Sequence, residues 1–73
     1  MNTFIELTDM NKDTIVIDIM SINAIRRCKD EMGIQGEFTC VHMSNSSTKF
    51  AVKEHPHVIF KIIQGVLEQW MYS

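Results

Sequence analysis

Cys40-Val41-His42 and His55-Pro56-His57 bring together side chains that hold zinc, and Cys28 adds a further thiol. Neither cluster has the paired-cysteine or paired-histidine spacing of finger and ribbon sites. On a strand, Cys40 and His42 share one face, so geometry alone does not forbid a metal. The plainer expectation is a half-buried cysteine beside a surface histidine, with His55 and His57 at a helix start, and the site is assigned no metal. Cys28 and Cys40 are also a candidate redox pair. A hairpin centred near Ile34 would set them opposite one another, within disulfide reach. Two buried, reduced thiols are the expectation. Nucleophilic catalysis needs a base in contact with the thiol and a third group to orient it. Two positions along a strand span about 7 Å, and no third member accompanies Cys40 and His42. No enzyme activity is expected.

Arg26-Arg27 with Lys29 is the basic cluster. Asp30 and Glu31 follow directly and no aromatic residue interleaves, so a stacking surface for RNA or DNA is unsupported. Repeated by symmetry in an oligomer, Arg26 or Arg27 would make a pocket for a phosphate-bearing small molecule. Trp70, Met71 and Tyr72 form an apolar-aromatic cluster with the character of a contact surface.

These side chains sit on a chain of 73 residues, enough for one small domain. Hydrophobic residues make up 45% and charged residues 22%, a globular balance rather than a disordered one. A net charge of −2 argues against a polyanion as partner. Two cysteines are too few for a secreted disulfide framework. Met1 to Glu6 lack the basic region and apolar stretch of a signal peptide. Charges at Asp18 and Lys61 interrupt the longest apolar runs, well short of the roughly 20 residues that cross a bilayer. The expectation is a soluble cytoplasmic protein with no membrane and no nucleic-acid partner.

Alternation predicts a first strand over 3–8, with Ile5 and Leu7 on one face, and a second over 14–19, with Ile15, Ile17 and Ile19 on one face. The polar run Asp9-Met10-Asn11-Lys12-Asp13 joins them as a hairpin. Met20-Ser21 breaks the period. Ile22 and Ile25, three apart, point to a helical turn or bulge leading into a third strand over 22–28. Gly33 and Gly36 mark a charged turn. A fourth strand over 37–43 and a fifth over 48–52 follow. From Pro56, suited to the first helical position, the period becomes helical to residue 71. Ile59, Ile62, Ile63, Val66, Leu67 and Trp70 make one helix face, which Val58 and Phe60 widen. Gly65 in mid-helix implies a close neighbour.

The fold expected is therefore α+β: a five-stranded antiparallel meander with one C-terminal helix packed on a face. One helix cannot cover both faces. The other would keep Phe4, Val16, Met20 and either Phe38–Cys40 or Val41–Met43, a large apolar patch for so small a chain. Six methionines suit adaptable contact surfaces. Self-association is expected, with Phe4, Val16, Met20, Phe60, Trp70 and Met71 as candidate interface residues.

The pattern resembles the FlbD-like family of very small bacterial flagellar-associated proteins and its bacterial and phage relatives. The matching residues are Ile5-Glu6-Leu7-Thr8, the spaced isoleucines of Ile22-Asn23-Ala24-Ile25, and Phe50-Ala51-Val52-Lys53-Glu54 before the helix beginning Val58-Ile59-Phe60. They span residues 3–64. The chain departs from the family at 9–13, where a Leu-Asn-Gly turn is usual, and in a longer 29–36 segment. The resemblance implies an accessory protein and offers no catalytic residues to carry across; no cofactor is expected. It fits the reading from the residues: a protein–protein interaction module that is itself a homo-oligomer. The alternatives are an anion binder using Arg26 or Arg27 between subunits and, last, a metal- or thiol-dependent activity.

Overall fold

The computed structural model describes residues 3–71. Five strands and one helix follow in order: β1 (Phe4–Thr8), β2 (Thr14–Asp18), β3 (Ile22–Lys29), β4 (Glu37–Met43), β5 (Lys49–Val52) and α1 (Pro56–Met71). The architecture is α+β, and every strand pairing is antiparallel. The strands do not form one continuous ladder. They divide into a β1–β2 pair and a β3–β4–β5 triplet.

The division falls where alternation stops. Asp18 caps a single 3-10 turn over Ile19–Ser21, its carboxylate accepting from the Met20 N–H. The register then slips between Ile22 and Ala24, a bulge that re-aims β3. The two sheets are stitched at the far end instead. Asp9 bridges to Val52, and the Lys53 N–H donates to the Thr8 carbonyl at 2.8 Å. The Thr8 N–H donates to both carboxylate oxygens of Glu54, at 2.9 and 3.0 Å.

The β1–β2 hairpin forms for local reasons. Asp9 Oδ1 accepts from the N–H groups of Asn11 and Asp13, closing the turn with its own side chain. In the resulting register Ile5 faces Ile17 and Leu7 faces Ile15. Ile5, Leu7 and Ile17 join Val41, Val52 and Ile59 in the main core. The helix begins as its sequence dictates: Pro56 needs no N–H partner, and the His55 carbonyl accepts from Val58 and Ile59.

The second face of the triplet is not an open patch. Phe38, Cys40 and Val41 are fully buried, so β4 is covered on both sides. Cys28, Phe38 and Cys40 form a second core cluster, packed against Met10 from the β1–β2 turn, Ile34 from the β3–β4 loop and Ala51. This corrects the expectation of an exposed Phe38–Cys40 or Val41–Met43 face. What sequence alternation could not reveal is that a loop and a turn fold back to act as a lid. Gly65 also departs from expectation: a side chain there would meet nothing within 4 Å, so close packing is not its reason.

The molecule is elongated. Its principal extents are 42 × 24 × 19 Å and its radius of gyration is 12.6 Å, against about 11 Å for a compact chain of this length. The helix is long for so small a chain. At about 1.5 Å per residue it is roughly 24 Å long, yet Ile59 near its start is its one fully buried residue. Ile62, Ile63 and Val66 pack partly on the core, while Leu67 and Met71 are exposed.

Candidate functional site

The candidate residues divide between exposed apolar positions on the hairpin and the helix and a sulfur-rich surface under the β3–β4 loop. Among the first, strand alternation sends Phe4 and Val16 to the outer face of the hairpin. Phe4 pairs with Asp18 and Val16 with Glu6, which makes the two apolar side chains diagonal neighbours. Met20 follows in the 3-10 turn. Exposure is 53% for Phe4, 62% for Val16, 67% for Met20, 63% for Phe60 and 79% for Met71. Trp70 alone among the six candidate interface residues is half-buried. The helix face turned away from the core, with Lys61, Gln64, Glu68 and Gln69, is exposed as its polarity predicts.

On the sulfur-rich surface, Arg26 is held within the chain. Its two terminal nitrogens donate to the two carboxylate oxygens of Glu31, both at 3.0 Å, and its Nε donates to His42 Nε2 at 3.1 Å. Hydrogen bonding to Glu31 raises the Arg26 pKa, and the same bonds hold the Glu31 carboxyl below the usual carboxylate range. Arg27, the next residue on the strand, points to the other face, where its Nη1 donates to the Thr39 hydroxyl at 3.0 Å. Adjacent strand positions cannot converge, so within one chain the two arginines do not form a joint anion fork.

The thiols sit beside this ion pair. Cys28 and Cys40 are both free and buried. They are not opposite one another: Cys28 faces Phe38, and Cys40 faces Arg26. The hairpin turns about Gly33 rather than Ile34, closed by the Asp30 N–H donating to the Gly36 carbonyl at 3.0 Å. That shift corrects the paired-cysteine register and leaves the thiols diagonal, on one face. The Cys40 thiol lies 3.9 Å from Met32 Sδ, and the Cys28 thiol 3.8 Å from the Arg26 carbonyl oxygen. Burial pushes the Cys28 thiol pKa up, against a smaller lowering by Arg26.

Cys40 and His42 share a strand face as the sequence predicts, but His42 is engaged by Arg26. His55 and His57 stand together at the start of the helix, ring centroids 5.7 Å apart, and both are exposed. Among the described residues no three His, Cys, Asp or Glu side chains gather as metal ligands. A shallow, open hollow of about 550 Å³ is lined by Asp30, Gly33, Ile34 and Gln35 on the β3–β4 loop. Glu31 and Met32, central to this region, escape sequence reading because a loop's destination depends on distant residues. The signal was Gly33 and Gly36, at φ of 71° and 87°, which let the loop double back.

Among the described residues, no helix is long and apolar enough to cross a membrane. Compared with protein-family models, with curated proteins and with solved structures, the chain matches none, so the case for its function is the geometry above.

Proposed function

We propose that this chain is a non-catalytic accessory module that acts by protein–protein interaction and is itself a homo-oligomer, assembled through the outer hairpin face and the exposed apolar side of α1. One observation carries the reading: a sixteen-residue helix of high apolar content with a single fully buried residue, Ile59. Helices apolar well beyond one stripe are normally covered. Val58, Phe60, Leu67 and Met71 are exposed instead, together with Phe4, Val16 and Met20. The resemblance to the FlbD-like family supports the same accessory role, in the cytoplasm of a bacterium or a phage-infected cell.

Native mass spectrometry combined with light scattering tests this. The expected result is a defined oligomer that Phe60→Asp and Met71→Asp together reduce to a folded monomer. A wild-type chain that stays monomeric up to its solubility limit would rule out self-assembly. An oligomer untouched by both substitutions would place its interface elsewhere.

A further inference from the structure

Beneath the β3–β4 loop, Met32 Sδ lies against the Cys40 thiol, and Cys28 shares the face and the core cluster of Cys40. We propose that Cys28, Cys40 and Met32 form a binding site for one soft monovalent metal ion, Cu(I), for which Ag(I) is a working analogue. This site is independent of the assembly proposed above.

The strand register sets its width. Cys28 opposite Phe38 and Cys40 opposite Arg26 make the thiols diagonal neighbours. Such diagonal positions lie about 7–8 Å apart, wider than the roughly 4.4–6.8 Å between the Cα atoms of a disulfide. The spacing disfavours an S–S bond, whereas an ion placed between two sulfurs bridges a wider gap. The third sulfur is brought by the loop: Met32 Sδ lies 3.9 Å from the Cys40 thiol.

The loop's construction is the second observation. Asp30 and Met32 adopt φ of 53° and 55°, a left-handed conformation unusual for residues other than glycine. That backbone is held by Arg26 gripping Glu31 and by Asp30 Oδ1 accepting from the Gly36 N–H at 2.7 Å. Strain of this kind persists where surrounding structure enforces it, and here it turns a thioether toward a buried thiol. Met32 remains 42% exposed, so an ion can pass from solvent to thioether to thiols.

Ligand softness selects the ion. Thiolate and thioether donors favour Cu(I), while zinc takes four ligands, usually with nitrogen or further thiolates. No such further ligands gather here among the described residues. On binding, two S–H protons leave to solvent as two metal–thiolate bonds form, and the Met32 thioether adds a third bond through a lone pair. The ion stays monovalent, so the step needs no oxidant or reductant.

The test titrates Cu(I) into the reduced full chain under anaerobic conditions, with bicinchoninate as competitor, and follows with X-ray absorption at the copper edge. One Cu(I) per chain in an all-sulfur shell is expected. Cys28→Ser and Cys40→Ser should each lose retention against the competitor. Met32→Leu, a change at an exposed side chain, should keep the circular dichroism of the folded chain and weaken retention. Four results would overturn the proposal: no copper held against bicinchoninate, one ion per two chains, nitrogen in the first shell, or full retention in folded Cys28→Ser or Cys40→Ser.

Discussion

Ile59 and Phe60 are consecutive on α1, yet the first is fully buried and the second is 63% exposed. Substituting each by alanine therefore separates folding from assembly. Ile59→Ala removes a core side chain at a cost of about 2–5 kcal/mol, a large share of the roughly 4–11 kcal/mol available to a chain this long. Phe60 works differently. A phenylalanine presents on the order of 200 Å², so 63% exposure leaves roughly 125 Å² for a partner to cover. At about 25 cal/mol per Å², that is about 3 kcal/mol per copy. Phe60→Ala should then weaken the oligomer by about a hundredfold per copy, while shifting the monomer by less than about 0.5 kcal/mol. Urea unfolding at several protein concentrations reads both effects. The wild-type midpoint should rise with concentration, because assembly stabilises the folded state by mass action. In Phe60→Ala that rise should shrink or vanish. A concentration-independent wild-type midpoint, with Phe60→Ala as costly as Ile59→Ala, would refute the reasoning and assign Phe60 to the monomer's own core.

Three further outcomes are expected. Glu54→Ala should cost about 1–3 kcal/mol in urea melts, because it leaves the Thr8 N–H without the carboxylate it donates to. Glu31 is held by Arg26 below the ordinary carboxylate value of 4.5, so its contribution is complete above that pH and lost as pH falls through the lower folded value. The Met32 methyl resonance should report the loop loosening in that acid window, and Glu31→Gln should abolish the transition. The Cys28 thiol has a raised pKa in the folded chain, chiefly through burial, so its contribution is complete below the ordinary thiol value of 9.0 and lost as pH climbs through the higher folded one. Thermal melts in alkaline buffer should show that decline, and Cys28→Ala should flatten it.

The elements were legible in the sequence because each depends on its own residues. Alternating isoleucines specify β2, and Pro56 with the change of period specifies α1 within the bounds read from the sequence. The strand ends moved by one residue at most, for example Thr3 to Phe4 and Ile19 to Asp18. Of the helical turn or bulge read from Ile22 and Ile25, the bulge is present between Ile22 and Ala24, while the 3-10 turn lies just before them over Ile19–Ser21. Less legible was anything requiring two distant segments at once. The docking of Met10 and Ile34 on the cluster of Cys28, Phe38 and Cys40 decides which sheet face is covered. No local period encodes it. The cysteine register failed for a related reason: a hairpin's centre is set by where left-handed residues fall, here Asp30, Met32, Gly33 and Gly36.

Burial of β4 on both sides also governs how freely this sequence can vary. On β1 the outward positions, such as Glu6, alternate with buried Ile5 and Leu7, so for folding of the chain alone every second site should accept most replacements, Phe4 being constrained by assembly instead. Along Phe38–Val41 no such relief exists, because four successive side chains are enclosed. Thr39 is the most constrained of them in chemistry, being buried and polar with Arg27 donating to its hydroxyl. A saturation mutagenesis map should therefore show a two-residue rhythm through the first hairpin and an unbroken intolerant block at 38–41, where drift is confined to near-isosteric exchanges.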